Sequence, residues 1–248
     1  HRAHASTTQL ASFFPNAKMA GLLMNAEIEN AKKVLLHAER PFTAIVGGAK
    51  VSDKILIVEN LLNLADHIII GGGMAYTFFK ALGGHIGNSL CETERLDTCL
   101  EILNKAKTKG VQIHLPTDAI AADRFAADAN TQIEPSNAIS EDRMGLDIGP
   151  KAIADFEAVL LQSKTILWNG PMGVFEMPAF ENGTKSMALA VASATKNGAF
   201  SLIGGGDSAA AVQKFELSSQ VSYVSTGGGA LLEYFEGKVL PGVEALEA

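Results

Sequence analysis

The sequence is short of several things, and each shortage closes a possibility. Two cysteines, Cys91 and Cys99, stand eight positions apart in 248 residues. That pair has no metal-ligand spacing and suggests no disulfide framework, so a reducing compartment fits. Charged residues are only 19% and the formal net charge is −7. Wholesale binding to nucleic acid is excluded, and any positive charge offered to an anion must be local. No apolar run reaches the ~20 residues that cross a bilayer. The opening HRAHASTTQL is no secretory signal, and it lacks an initiator Met, so the chain reads as a piece of something longer. Two familiar phosphate-binding patterns are missing as well. GxGxxG begun at Gly71 would need glycine where Tyr76 stands, and GxxxxGK[ST] does not occur. A Rossmann dehydrogenase and a P-loop ATPase both lose ground.

What is present is apolar: 47% of residues are hydrophobic, enough for a sizeable core. Strand-like runs recur at Phe42–Val46, His67–Ile70, Val111–Leu115, Thr165–Leu167, Ala199–Ile203 and Val221–Val224. They lack the alternation of a half-exposed sheet, which favours a parallel sheet buried on both faces. Helical patterns separate them. Val51 onward reads as one. Glu92–Lys109 is the clearest, with Leu96, Leu100, Leu103 and Ala106 expected on its buried face. Lys151–Leu161, Gly183–Lys196 and Asp207–Phe215 follow, and Ala20–His37 precedes the first strand. This alternation predicts a three-layer α/β/α, doubly wound, parallel six-stranded sheet (Rossmann-like) over about residues 40–240. Residues 123–149, broken by Pro135 and Gly145, are not assigned to regular elements.

Glycines fall in a pattern. GGAK follows the first strand, GGGMAYTF the second, WNGPMGVFE the fourth, GGGDSAAAV the fifth and STGGGALLE the sixth. In a parallel sheet these turns share one edge, where ligands of open α/β sheets bind. Glycine permits close backbone approach, and helix N-termini favour phosphate, so several such turns suggest a polyphosphate ligand. One such turn alone would be steric punctuation. Lys50 and Lys54, a helical turn apart, can serve the same anion, or can be solvated surface lysines. Asp207 can hold Mg²⁺ on nucleotide phosphates or cap its helix. Ser208 can donate to phosphate. Glu176 can accept from ribose hydroxyls, and Asn169 offers a donor and an acceptor. Trp168, Phe78 and Phe79 read as core rather than as an adenine platform, which leaves the backbone of Gly71–Gly73 as the better adenine wall. Arg2, beside His1 and His4, can clamp an anion or mean nothing.

HRAHAS, GGAKVSDKI, IIIGGGMAYTF, LPTD, MGLDIGP, WNGPMGVFE, GTK, GGGDS, STGGGA and EGKVLPGV stand in this order between His1 and Val243. By them the chain resembles the carboxyl-terminal part of the phosphoglycerate kinases. The resemblance implies a glycolytic enzyme of the cytoplasm, monomeric at full length. It would move a phosphoryl group in line between 1,3-bisphosphoglycerate and ADP, with Mg²⁺. Its substrates would be small molecules, without nucleic acid or membrane. It divides the chain into residues 1–16 as the end of a phosphoglycerate-binding domain, 17–39 as an interdomain helix, 40–240 as the nucleotide-binding domain and 241–248 as a tail. Most of the partner domain would be lacking. It implies that Lys50, Gly206 and Gly229 act at the transferring group. Gly48, Lys54, Gly71, Gly72, Asn169, Pro171, Glu176, Gly205, Asp207 and Ser208 would hold the nucleotide, Asp207 the metal, and Arg2 and His4 the phosphoglycerate. Where the family usually has threonine after the aspartate, Ser208 keeps the hydroxyl. The expectation for these 248 residues alone is nucleotide binding with little turnover. A non-catalytic nucleotide-binding or regulatory module is the competing reading.

Overall fold

The computed structural model describes residues 1–247, with side chains through residue 246. Six strands form the central sheet: β1 (Phe42–Val46), β2 (His67–Ile70), β3 (Gln112–His114), β4 (Thr165–Asn169), β5 (Phe200–Gly204) and β6 (Tyr223–Val224). All five pairings are parallel, in the order β6-β5-β4-β1-β2-β3. Every residue of β1 and of β4 is buried, and their polar members are satisfied there, Thr43 by Ser163, Thr165 by the Glu39 carbonyl and Asn169 by the Gly204 carbonyl. The first three strands step outward from β1 and the next three outward from β4. Strand order therefore reverses between β1 and β4, and the crossovers part there.

Two apolar layers fill the sheet faces. Phe42, Ala44 and Val46 point to one, where they meet α1 (Leu22–Leu35), α2 (Ile55–Leu61), α3 (Met74–Ala81), α4 (Leu96–Lys109) and α8 (Gly229–Phe235). Ile45 points to the other, packed with α5 (Pro150–Gln162), α6 (Asn182–Lys196) and α7 (Gly206–Lys214). Trp168, Phe78 and Phe79 all lie in these layers, at 0%, 0% and 8% exposure, so they are core. The last helix, α9 (Pro241–Glu247), packs on an irregular helical turn at Ala5–Gln9, so the two ends of the chain meet.

Three local expectations need correction. The helix after the first glycine turn begins at Ile55, not Val51. Glu92 takes the Ser52 amide and hydroxyl at 3.0 and 2.6 Å, and residues 51–54 make a turn closed by Lys54 N–H to the Val51 carbonyl at 2.8 Å. Lys50 therefore precedes the helix and Lys54 is its N-cap, so the two do not share a helix face. Helix α4 buries Cys99, Ile102 and Ala106, while Leu100 is 36% exposed. A stripe drawn through leucines missed the side that carries Cys and Ile. Finally, residues 123–149 contain regular structure. Asp118–Ala122 pairs antiparallel with Thr131–Pro135 and with Met144–Ile148, giving a small three-stranded sheet. Short strands and an internal glycine hid it.

Candidate functional site

The site begins where strand order reverses. Gly47 follows β1 and Gly170 follows β4, and the Gly47 amide donates to the Asn169 carbonyl at 2.9 Å. A Cβ on Gly47 would lie 2.1 Å from the Pro171 carbonyl oxygen; one on Gly170, at φ +98°, would lie 2.1 Å from that of Gly47. Only two glycines let these turns cross. The turn after β2 stacks on them, with the Gly72 position against the backbone of Gly48. Together the three turns floor a cleft of about 480 Å³, bounded on its far side by the small antiparallel sheet. Gly48, Gly72, Gly73 and Pro171 line it. Gly71 does not: it lies behind, where a Cβ would strike the Met172 sulfur at 2.4 Å.

One end of the cleft is charged. Lys54 Nζ donates to Asn169 Oδ1, and Asn169 Nδ2 donates to the Gly204 carbonyl at 2.8 Å. Burial lowers the Lys54 pKa from its ordinary 10.5, against the pull of the Asp207, Asp53 and Glu236 carboxylates. Asp207 is exposed in the first turn of α7 and lines the cleft. The N-cap of that helix is Gly205, without a side-chain cap, so Asp207 is not the capping residue. Ser208 is fully buried, and its hydroxyl accepts the Gly170 amide at 2.6 Å. It braces α7 against the switch-point turn. Gly206 has open space where a Cβ would be. Lys50 is exposed and is not among the residues that line the cleft. Its charge reaches Glu92, whose pKa stays low although burial opposes this, because Ser52 hydrogen-bonds the carboxylate.

The other end is an apolar slot between Pro171–Val174 and Met144–Ile148, with Leu90 and Phe125 at its sides. Glu176, exposed, stands at its mouth. Phe125, Met144, Gly145 and Leu146 are lining residues that sequence reasoning missed, because residues 123–149 had no assigned place. One signal was available: a glycine inside a strand marks close approach. A Cβ on Gly145 would fall 1.6 Å from the Tyr76 hydroxyl oxygen.

Arg2, His4 and Gly229 are not brought to this cleft. His1 Nδ1 lies 3.1 Å from Glu233, and the His1 ring is 3.9 Å from a Cβ placed on Gly229. His1, but not Arg2, His4 or Gly229, lines a second, more apolar cavity of about 300 Å³, with Leu23, Glu27, Gly227, Leu231 and Tyr234. Across it Glu27 of α1 holds the turn after β6, accepting from Ser225 Oγ and the Thr226 amide, each at 2.7 Å.

The fold and cleft define a doubly wound α/β protein whose glycine turns converge, with a lysine and an aspartate, at the strand-order switch. Comparison with known proteins narrows this class. The family model described as phosphoglycerate kinase matches residues 1–238. The chain is 55% identical over 248 residues to the phosphoglycerate kinase of Porphyromonas gingivalis, covering all of this chain and 59% of that protein. It is 51% identical over 247 residues to that of Dictyoglomus turgidum, covering 61% of it. Among solved structures, phosphoglycerate kinase from Coxiella burnetii superposes with a TM-score of 0.94 at 46% identity, over 100% of this chain and 62% of that one. The enzyme from Pyrococcus horikoshii OT3 gives 0.82 at 30% identity, over 100% and 61%. The chain belongs to the phosphoglycerate kinase family. It spans about 60% of the length of the relatives it matches.

Proposed function

We propose that this cleft binds Mg²⁺ with ADP or ATP. In the longer protein it would serve transfer of a phosphoryl group between 1,3-bisphosphoglycerate and ADP. The observation that carries this reading is the meeting of Lys54, Asn169 and Asp207 at the charged end of a cleft whose other end is an apolar slot. A nucleotide has the same polarity, with a flat base at one end and phosphates at the other. The base enters the slot over Gly72 and Gly73, and Glu176 at the mouth accepts from the ribose hydroxyls. Lys54 gives its charge to the phosphates, assisted by Asn169 and by backbone N–H groups of Gly48, Gly205 and Gly206. Pro171 shapes the floor. Gly71 and Ser208 support it from behind.

The donor set fits magnesium. Among the described residues no cluster of three or more His, Cys, Asp or Glu exists. The ion would be held by the Asp207 carboxylate and the nucleotide's own oxygens, its usual manner of binding with phosphates. When bound, it supplies neutralisation of the charge shared between the outer phosphates. Lys50, exposed, would reach the transferring group once the phosphoglycerate side closes on the cleft. In the transfer an oxygen of the ADP β-phosphate bonds to phosphorus as the acyl oxygen–phosphorus bond breaks, with no protein nucleophile between. Arg2, His4 and Gly229 lie on the side of the second cavity, where that partner region would meet this one. Residues 17–39 serve as its connector. Full length, we read the enzyme as a cytoplasmic monomer.

Turnover of the longer protein with the Lys50→Ala variant tests the division of labour. A contact made chiefly during transfer lowers kcat and kcat/KM together. A raised nucleotide KM at unchanged kcat would contradict the role given to Lys50.

A further inference from the structure

Asp147 is 3% exposed, in the strand Met144–Ile148 that walls the apolar slot. Each of its carboxylate oxygens takes a backbone N–H: Oδ1 from Ile148 at 2.9 Å and Oδ2 from Gly183, in the first turn of α6, at 2.7 Å. Gly173 is pressed against it, since a Cβ there would lie 2.2 Å from Oδ1, as would one on Gly183. One carboxylate thus touches three chain segments. Two of them, the strand 144–148 and the turn 170–174, are the opposing walls of the slot. Neither carboxylate hydrogen bond reaches the turn 170–174; the link runs through the first turn of α6, where Thr184 Oγ1 accepts the Met172 amide at 3.0 Å, and the walls share one direct hydrogen bond, from the Val174 amide to the Leu146 carbonyl at 2.9 Å.

Burial pushes the Asp147 pKa up to about 7, with the two N–H bonds pulling it down and the Glu181 charge pushing it up. The charged or titratable groups facing it are Tyr76 from α3, itself held neutral because burial raises its pKa, and Glu181 ahead of α6, which Lys214 holds at 2.6 Å. The sign follows from linkage. The unfolded carboxyl ionises near 3.8 and the folded one near 7, so ionised Asp147 weakens the fold as pH rises between them. That cost is offset by the Gly183 N–H, at the start of α6, which the carboxylate satisfies.

We propose that Asp147 is a positioning residue for the nucleobase: its ionised carboxylate clamps the two walls of the slot, and protonating it loosens the slot and lowers nucleotide affinity. This rests on the reading that the cleft binds nucleotide. The chemistry is that of the acceptor. A carboxylate offers both oxygens to N–H donors in charge-assisted bonds, whereas the neutral acid places a hydrogen on one oxygen and weakens one tie.

The test compares the wild-type chain with Asp147→Asn, which imitates the neutral acid. Both are titrated with Mg·ADP by calorimetry at about pH 8 and about pH 6, with melting curves at each. At the higher pH the variant should bind roughly tenfold more weakly, the scale of one charge-assisted hydrogen bond. At the lower pH the two should agree within about twofold, because the wild type is then largely neutral. The ratio of the two affinities cancels titration of the ligand. A ratio near one at both pH values, or an equal loss at both, overturns the proposal. Failure of the wild type itself to bind Mg·ADP at the higher pH would bring down the nucleotide reading and this inference together. If the variant does not fold, wild-type affinity for adenosine, which has no group titrating in this range, decides. It should fall from the higher to the lower pH, and a flat profile refutes the clamp.

Discussion

Lys54 sits where two demands conflict. Burial disfavours its charge, and Asn169 and Asp207 hold it at the cleft all the same. A fold does not need an ammonium there; an anionic ligand does. Lys54→Met should therefore weaken Mg·ADP binding by roughly 10- to 100-fold, about 1.4–3 kcal/mol for a charged hydrogen bond. The melting temperature should hold or rise, because a depressed lysine pKa means that the fold resists the charge. Calorimetric titration beside a melting curve checks both, and a large loss of stability with unchanged affinity would reverse the assignment. Lys54, Asn169, Glu176 and Asp207 could be singled out in the sequence because each stands beside or just after a glycine turn at a strand end. The true N-cap of α7 was not legible, since an aspartate after three glycines invites the capping reading. A residue outside the site makes a second test. His114 has a lowered pKa, first from burial and then from His67, whose Nδ1 is 3.1 Å from its Nε2. The neutral form is the one that the fold accepts. Its contribution is complete above the unfolded value near 6.5 and is lost as pH falls through the lower folded value. His114→Gln should make the melting temperature less sensitive to acid over that window; an unaltered slope would show that the pair does not matter.

At the scale of elements, glycine positions separate folding from binding. Gly170→Ala demands both a positive φ and space already held by the Gly47 carbonyl oxygen. It should cost about 3 kcal/mol or more, read as a drop in the denaturation midpoint. Gly206→Ala meets nothing within 4 Å and lies in a helix, so it should leave stability within about 0.5 kcal/mol of the parent or raise it. Its methyl group, standing where phosphate approaches the helix N-terminus, should still weaken Mg·ADP binding. Equal behaviour of the two variants would deny that the turns differ in role. The central sheet was readable because β1 and β4 are mostly apolar runs with glycine immediately after, a pattern that burial on both faces produces. The small antiparallel sheet was not. Thr131–Pro135 is mostly exposed and Met144–Ile148 carries a glycine and a buried aspartate, so neither looks like a core strand. That blind region supplied one wall of the slot. The buried face of α4 was misread for a related reason: leucine content is not burial when Cys99 and Ile102 are the residues facing the sheet.

At the scale of the whole molecule, the cleft draws its slot, floor and aspartate from residues 48–207, with Lys54 bonded to Asn169 beside it. Arg2 and His4 do not line the cleft. Positioning of two substrates supplies much of the rate in phosphoryl transfer. The 248-residue chain should thus bind nucleotide yet turn over at least 10³-fold more slowly than the longer protein, a gap that a coupled assay on both would measure. Comparable rates would mean that phosphoglycerate is held by residues of this chain. The division of labour itself was legible only through the family motifs, because no periodicity or composition marks where one half of a cleft ends. The most direct measurement is a calorimetric titration of the wild-type chain with ADP, with Mg²⁺ present and then with Mg²⁺ chelated. Saturable binding at one site, weakened by chelation and abolished or sharply reduced in Lys54→Met, is the result expected of a nucleotide half-site. No saturable heat with Mg·ADP, or binding indifferent to Lys54, would contradict it.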